Sequence, residues 1–327
     1  MEVSAADFVS RPALRNTRAY TLFLQGLHAF ERYDKQGFEQ AASYYQRALD
    51  LDSSFAAAAV GLAAAYGNLG AFGFLPPSVA YEQARQAAAL ALKLDPQSAL
   101  AHALLGSIHG TYDWDWTAAD RELKQALALA PSDAAILALS AYQSLIVGRW
   151  DDGLKLINTS LEEDPLNPMC YLFLHYAQLR RGRLAEAEAA IRRCLEISPT
   201  FNFAHYNLGV ALLTRSEPQA ALAEFLKEPA DAGRLAGSAL AYFRLGCKAE
   251  ADAALELLLK HYAPYIPSGV AAVYAFREEP DEAFEWLERA YAQRDSLLYR
   301  IKFTTEFDKL RDDPRYEAFL NKMSLPE

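Results

Sequence analysis

EDPLNPMCYLFLHYAQLRRGRLAEAEAAIRRCLEISP, residues 163–199, begins and ends on a short phrase closed by proline. Its interior splits in two around Arg181–Gly182–Arg183. Before that turn, Tyr171, Leu174 and Gln178 stand at spacings of three and four; after it, Ala187, Ile191 and Cys194 do the same. Those spacings put each set on one face of a helix. Proline can start a helix but breaks its interior, so the closing phrases separate one pair of helices from the next.

Working outward, the phrase recurs as LDS at 51–53, LDP at 94–96, LAP at 129–131, EDP at 163–165 and ISP at 197–199. The final residues of successive phrases lie 43, 35, 34 and 34 residues apart. A period of 34 residues is that of the tetratricopeptide (TPR) hairpin. The spacing therefore predicts an all-α fold, a right-handed TPR superhelix (α-solenoid) of about eight helical hairpins plus a C-terminal capping segment. Residues 1–16 read as an N-terminal tail or linker remnant, 17–294 as the superhelix and 295–327 as the cap, because a terminal repeat needs a different outer face. Small residues are expected where paired helices approach closely, Gly106 against Ala119 and Gly209 against Ala221. Two insertions interrupt the period, GAFGFLPPSV at 70–79 and TYDWDW at 111–116, and insertions in such arrays sit on one edge. Asp313–Pro314 is expected to cap a last helix carrying Tyr316, Phe319 and Leu320.

Composition narrows the function. The 327 residues are 52% hydrophobic and carry a formal charge of −10, the wrong sign for a phosphate-binding surface, and no basic cluster is present, so no nucleic-acid partner is expected. No apolar run is long enough to span a bilayer, and the leading MEVSAADFVSRPALR lacks the pattern of a signal peptide, so no membrane partner is expected. Three scattered cysteines, Cys170, Cys194 and Cys247, suit a reduced, cytoplasmic setting and read as inert buried thiols.

Four segments carry a closer likeness: TRAYTLFLQGLHAF (17–30), YDWDWTAADRELKQALALAP (112–131), DEAFEWLERAYAQRD (281–295) and FDKLRDDPRYEAFLNKMSLP (307–326). They resemble the bacterial TPR region found C-terminal to adenylate or guanylate cyclase, Ser/Thr kinase or winged-helix regulator domains. The resemblance runs from about residue 12 onward and implies a regulatory role in signalling. It departs from that family in that no effector domain precedes the repeats, as expected of either an excised region or a stand-alone version, and no output activity is expected of this chain itself.

Motifs for catalysis are missing. No phosphate-binding glycine loop, nucleophile elbow, HExxH or zinc-spaced cysteine pair occurs, so no enzyme, no cofactor and no metal site are expected. His102 and His205 fall in a core packing slot, and His175 takes a slot usually given to Gly or Ala, implying a widened hairpin or a polar contact across it. Adjacent acids such as Asp151–Asp152 and Asp312–Asp313 diverge on a helix and read as solvated, dipole-favoured charges. Asp113 and Asp115 read as helix caps beside Trp114 and Trp116.

The first helix of each hairpin lines the inner groove of such a superhelix. Its fifth and ninth positions read Val60/Ala64, Ala103/Ser107, Ala138/Tyr142, Leu172/Tyr176 and Tyr206/Val210, with no basic residue among them. A carboxylate clamp of the kind some TPR proteins use is therefore not expected. Met169, Leu172, Tyr176, Phe203 and Tyr206 make the groove apolar and aromatic, with Asn207 a lone polar group. Tyr142, Tyr176 and Tyr206 are expected to form an accessible aromatic strip. That character suits a protein or peptide partner with apolar or aromatic anchors, or an effector domain of the same system. The sequence thus points to a non-catalytic interaction scaffold; the alternative is a small-molecule sensor with its ligand enclosed by the superhelix.

Overall fold

The computed structural model describes residues 16–325, so all but the last residue of the expected 1–16 tail lies outside it. Asn16 is the N-cap of the first helix, its side chain accepting hydrogen bonds from the Arg18 and Ala19 amides. Every regular element among the described residues is helical, and no strand occurs among them.

The helices come in pairs. α1 (Thr17–Phe30) packs on α2 (Lys35–Leu51), α3 (Ala56–Ala71) on α4 (Pro77–Leu94), and α5 (Ala99–Ile108) on α6 (Trp116–Leu129). α7 (Ala134–Ile146) and α8 (Trp150–Glu163) follow. Then α9 (Pro168–Arg180) packs on α10 (Leu184–Ile197), α11 (Ala204–Thr214) on α12 (Pro218–Phe225), α13 (Asp231–Arg244) on α14 (Lys248–Tyr262), and α15 (Pro267–Phe276) on α16 (Pro280–Ala292). Two 3₁₀ turns, Leu298–Lys302 and Thr305–Leu310, lead to α17 (Pro314–Lys322). The chain divides into two compact units, one ending at Ser144 and including Asp151–Asn167, the other holding Leu145–Trp150 and the chain from Pro168.

Close helix approach is built the same way in both units. In the first, the buried Tyr45 ring of α2 lies between Gly26 of α1 and Gly61 of α3; a Cβ at either glycine would stand 2.5 and 2.6 Å from the ring. In the second, the Phe225 ring of α12 lies between Gly209 of α11 and Gly237 of α13, closer still. The small residue facing Gly209 was expected to be Ala221, which is buried, but the ring of Phe225 takes the space over the glycine. Gly106 sits as expected against α6, where a Cβ would meet the Ala119 carbonyl and Leu123. Gly237→Ala should cost roughly 1–3 kcal/mol by overpacking. Adding Phe225→Leu should recover part of that loss in urea denaturation; a Gly237→Ala protein as stable as its parent would contradict the sandwich.

The first insertion is structural. α3 ends through Gly73 at φ 70°, a left-handed residue suited to glycine, and the amides of Phe74 and Leu75 return to the Leu69 carbonyl. Phe72 then stacks on Phe38 of α2, ring centroids 5.8 Å apart. The second insertion converts the end of α5 into a π-helical turn, His109–Asp113, followed by Trp114 at φ 57° with its side chain buried.

Candidate functional site

The residues expected to line the groove do not form one open strip. Tyr142 is half-buried on α7 in the first unit. The rest belong to the second unit: Met169, Leu172 and Tyr176 on α9, Phe203 at the N-cap of α11, and Tyr206 and Asn207 in its first turn. Met169 and Phe203 are half-buried, but Leu172 and Asn207 are buried, and Tyr176 and Tyr206 keep only 3% and 8% of their surface. The expectation of accessible rings at 176 and 206 is thus corrected. Their cover is the chain's own C-terminal turn segment.

That segment is fitted to the first helices of successive hairpins. Arg300 donates from Nη2 to the Tyr176 hydroxyl at 2.7 Å, and its guanidinium lies 5.0 Å from the centroid of the same ring. Phe303, fully buried, packs against Tyr176 at 5.2 Å and Trp150 at 6.5 Å. The Tyr206 hydroxyl donates to Glu306 Oε1 at 2.9 Å. Arg180 at the end of α9 pairs with Asp308 at 3.5 Å, and Ser268 at the start of α15 donates its amide to Asp295 at 2.8 Å. Within the segment, Tyr316 donates to the Ile301 carbonyl at 2.9 Å, and Arg311 to that of Lys302 at 3.1 Å. Leu298, Phe307, Leu310 and Phe319 of the segment are all buried, and Asp313 caps α17 as anticipated.

Asn207 is not the lone groove donor its position suggested. Its amide donates to the Phe203 carbonyl at 2.6 Å. Glu228, 1% exposed, accepts from the amides of Phe203 (2.9 Å), Tyr206 (3.0 Å) and Ala230 (3.1 Å), anchoring the start of α11 on which both aromatic residues sit. A cavity of about 60 Å³ remains between the segment and the wall, bordered by Phe203, Tyr206, Ala236, Ala272, Thr304 and Glu306. That is room for water or a small group, far below the several hundred Å³ of a pocket for a drug-sized ligand.

Burial sets the protonation of this seam. It pushes the Glu306, Asp295 and Glu228 carboxyls up, with Arg300 pulling the first two back toward the charged form and backbone amides doing so for Glu228. Between the unfolded and folded pKa of such an acid, the folded chain holds a proton that the unfolded chain releases. Each therefore loses stability as pH rises through that window.

His175 has the opposite sign. Its ring is fully buried and Nδ1–H donates to the Ala187 carbonyl at 2.9 Å, the polar contact across the hairpin rather than a widening. Burial lowers its pKa from 6.5 to about 4. Below pH 6.5 the unfolded chain takes up a proton that the folded chain refuses, so this contribution, on the order of 3 kcal/mol, is lost as pH falls from 6.5 toward 4. Thermal melts of the wild type and His175→Gln should converge across that interval. A stability difference constant with pH would show that His175 does not titrate in this way.

The other candidates resolve into structure. His102 and His205 were expected in the core, but each is half-buried and pairs at 2.8 Å with an acid of the partner helix, Glu122 and Glu224. Asp115 caps α6 as expected, accepting from the Ala118 amide. Asp113 does not cap; Arg85 at 2.8 Å and His109 at 2.8 Å hold it across the π-helical turn. Cys170 and Cys194 are fully buried thiols outside any disulfide, and burial pushes the Cys194 thiol up. Among the described residues no group of three or more His, Cys, Asp or Glu could hold a metal ion, and no helix is long and apolar enough to cross a membrane.

A tetratricopeptide repeat family model matches residues 147–200, the stretch that contains the deciding repeat. The fold is a TPR solenoid. Solved structures resemble it along most of its length. A human IFIT1 dimer with m7Gppp-AAAA is 17% identical with a TM-score of 0.63, over 84% of this chain and 72% of that one. The Cut9 complex of the APC/C hetero-tetramer Cut9–Hcn1 is 16% identical with a TM-score of 0.63, over 97% and 57%. Yeast Tom70 is 17% identical with a TM-score of 0.54, over 96% and 71%. No curated protein matches significantly. At such identities the likeness is one of fold. The IFIT1 structure carries m7Gppp-AAAA, which does not fit the expectation, drawn from the charge of −10 and the lack of a basic cluster, that a chain of this fold has no nucleic-acid partner.

Proposed function

We propose that this protein is a non-catalytic interaction scaffold of a bacterial signalling system, working in the cytoplasm and taking a partner protein segment on the face formed by the first helices of its hairpins. One observation carries the reading: in the second unit that face already holds a peptide segment, residues 299–307, through side chains of α9 and α11. A wall that orders Arg300, Phe303 and Glu306 has the aromatic rings and hydroxyls that peptide recognition uses. In the second unit the half-buried Met169 is a further candidate contact, and in the first unit the half-buried Tyr142 is a candidate by itself.

A photo-cross-linking side chain at position 142 or 169, introduced in the host cell, should give one discrete protein adduct. The same group at the exposed position 124 should not. Adducts independent of position, or none at 142 and 169, would overturn the reading.

A further inference from the structure

The residues that cover the wall are not those of a simple apolar cap. Arg300 and Glu306 bring two charge-bearing groups into a buried seam, where burial disfavours the charged form of Glu306. Apolar residues of similar volume would cover Tyr176 and Tyr206 at least as stably, because desolvating charges offsets much of what their contacts return. Polar groups placed this way discriminate between ligands. Each also has a built receptor: the Tyr176 ring and hydroxyl for Arg300, the Tyr176–Trp150 pair for Phe303, and the Tyr206 hydroxyl for Glu306. Glu228 holds the start of α11, and with it the Tyr206 receptor, in place.

We propose that this wall is a recognition site for a partner segment of the order aromatic–Arg–x–x–aromatic–x–x–Glu, and that Tyr299–Arg300–x–x–Phe303–x–x–Glu306 is an intramolecular copy of that ligand, which the partner displaces. This names the partner class for the scaffold reading above and rests on it. Tethering gives the internal copy an effective concentration in the millimolar range, so a free segment must compete against that. The copy also fits incompletely. The cavity of about 60 Å³ beside Thr304 leaves space that a larger side chain at the equivalent position would fill. The matching partner segment therefore carries an aliphatic residue one place after its second aromatic residue.

The test uses the full chain and an isotope-labelled peptide of its own residues 296–312, SLLYRIKFTTEFDKLRD, followed by hydrogen exchange. At about 1 mM peptide, amides of residues 299–307 in the protein should exchange at least about fivefold faster, while α11 keeps its protection because the wall stays covered. A peptide carrying Thr304→Leu should act at a several-fold lower concentration. One carrying Arg300→Ala and Glu306→Ala, and a scrambled one, should have no effect. A full chain with Glu306→Gln, its own copy weakened, should yield to about tenfold less peptide. Unchanged exchange at 299–307 in both proteins, or equal displacement by the scrambled peptide, overturns the proposal. Peptide displacement without any cross-linked partner in cells would instead leave the site standing and remove the scaffold reading.

Discussion

Tyr206→Ala should lower the unfolding free energy by roughly 3–5 kcal/mol, the loss expected when a large buried aromatic side chain is truncated. The ring is 8% exposed, lies 5.6 Å from Phe225 and 6.3 Å from Phe203, and its hydroxyl is the donor to the buried Glu306. Truncation removes both the packing and the hydrogen bond, leaving Glu306 buried without its donor. Tyr176→Ala should behave alike, because Arg300 and Phe303 both rest on it. Urea denaturation of the two variants reads the effect directly. A loss below about 1 kcal/mol in both would mean that the rings stand open on a groove wall, as their repeat positions alone suggest.

Removing the chain after Gln293 should have the larger effect. The deletion uncovers Tyr176, Tyr206 and the part of α15 that packs on the Thr305–Leu310 turn at once. It also takes away Asp295, the acceptor for the Ser268 amide at the start of α15. A bare edge and a bare wall together make an apolar surface of the kind that drives association. The expected result is a protein that melts at least about 10 °C lower, or is recovered as aggregate. A truncated chain that is monomeric by light scattering, with the melting temperature of the parent, would contradict the packing described for residues 295–325.

Much of this architecture could be read from local pattern. The proline-closed phrases and the three-and-four spacing report contacts within a hairpin, and a hairpin repeat is mostly its own environment. Thus Tyr171 to Cys194 announced α9 and α10, and Asp115 and Asp313 announced their caps. The site was harder because what decides it is remote. Tyr206 meets Glu306 across 100 residues, and Tyr176 meets Arg300 across 124. Repeat position says which wall a tyrosine belongs to, but not that the chain returns to cover it. The segment did contain a signal: Arg300, Lys302, Thr304, Thr305 and Glu306 alternate with Leu297, Leu298, Tyr299, Ile301, Phe303 and Phe307, a pattern too polar for a cap alone. The cation missing from the fifth and ninth positions is supplied by that same segment. The histidines failed for a different reason. At positions 102 and 205 a packing slot near the helix surface lets the imidazole reach an acid on the partner helix, and spacing along one helix does not record the other.

The occupation of the wall by residues 299–307 is tested most directly by a double-mutant cycle between Tyr206→Phe and Glu306→Gln, measured by urea denaturation at neutral pH. Tyr206→Phe removes the donor of a single buried hydrogen bond, and Glu306→Gln replaces its carboxylate acceptor with a neutral amide oxygen, both nearly keeping the volume of the side chain. If the two groups meet, the effects are coupled by about 0.5–3 kcal/mol, the double variant losing less than the sum of the single ones. Effects that add to within about 0.3–0.5 kcal/mol would mean that the C-terminal segment does not lie on this wall.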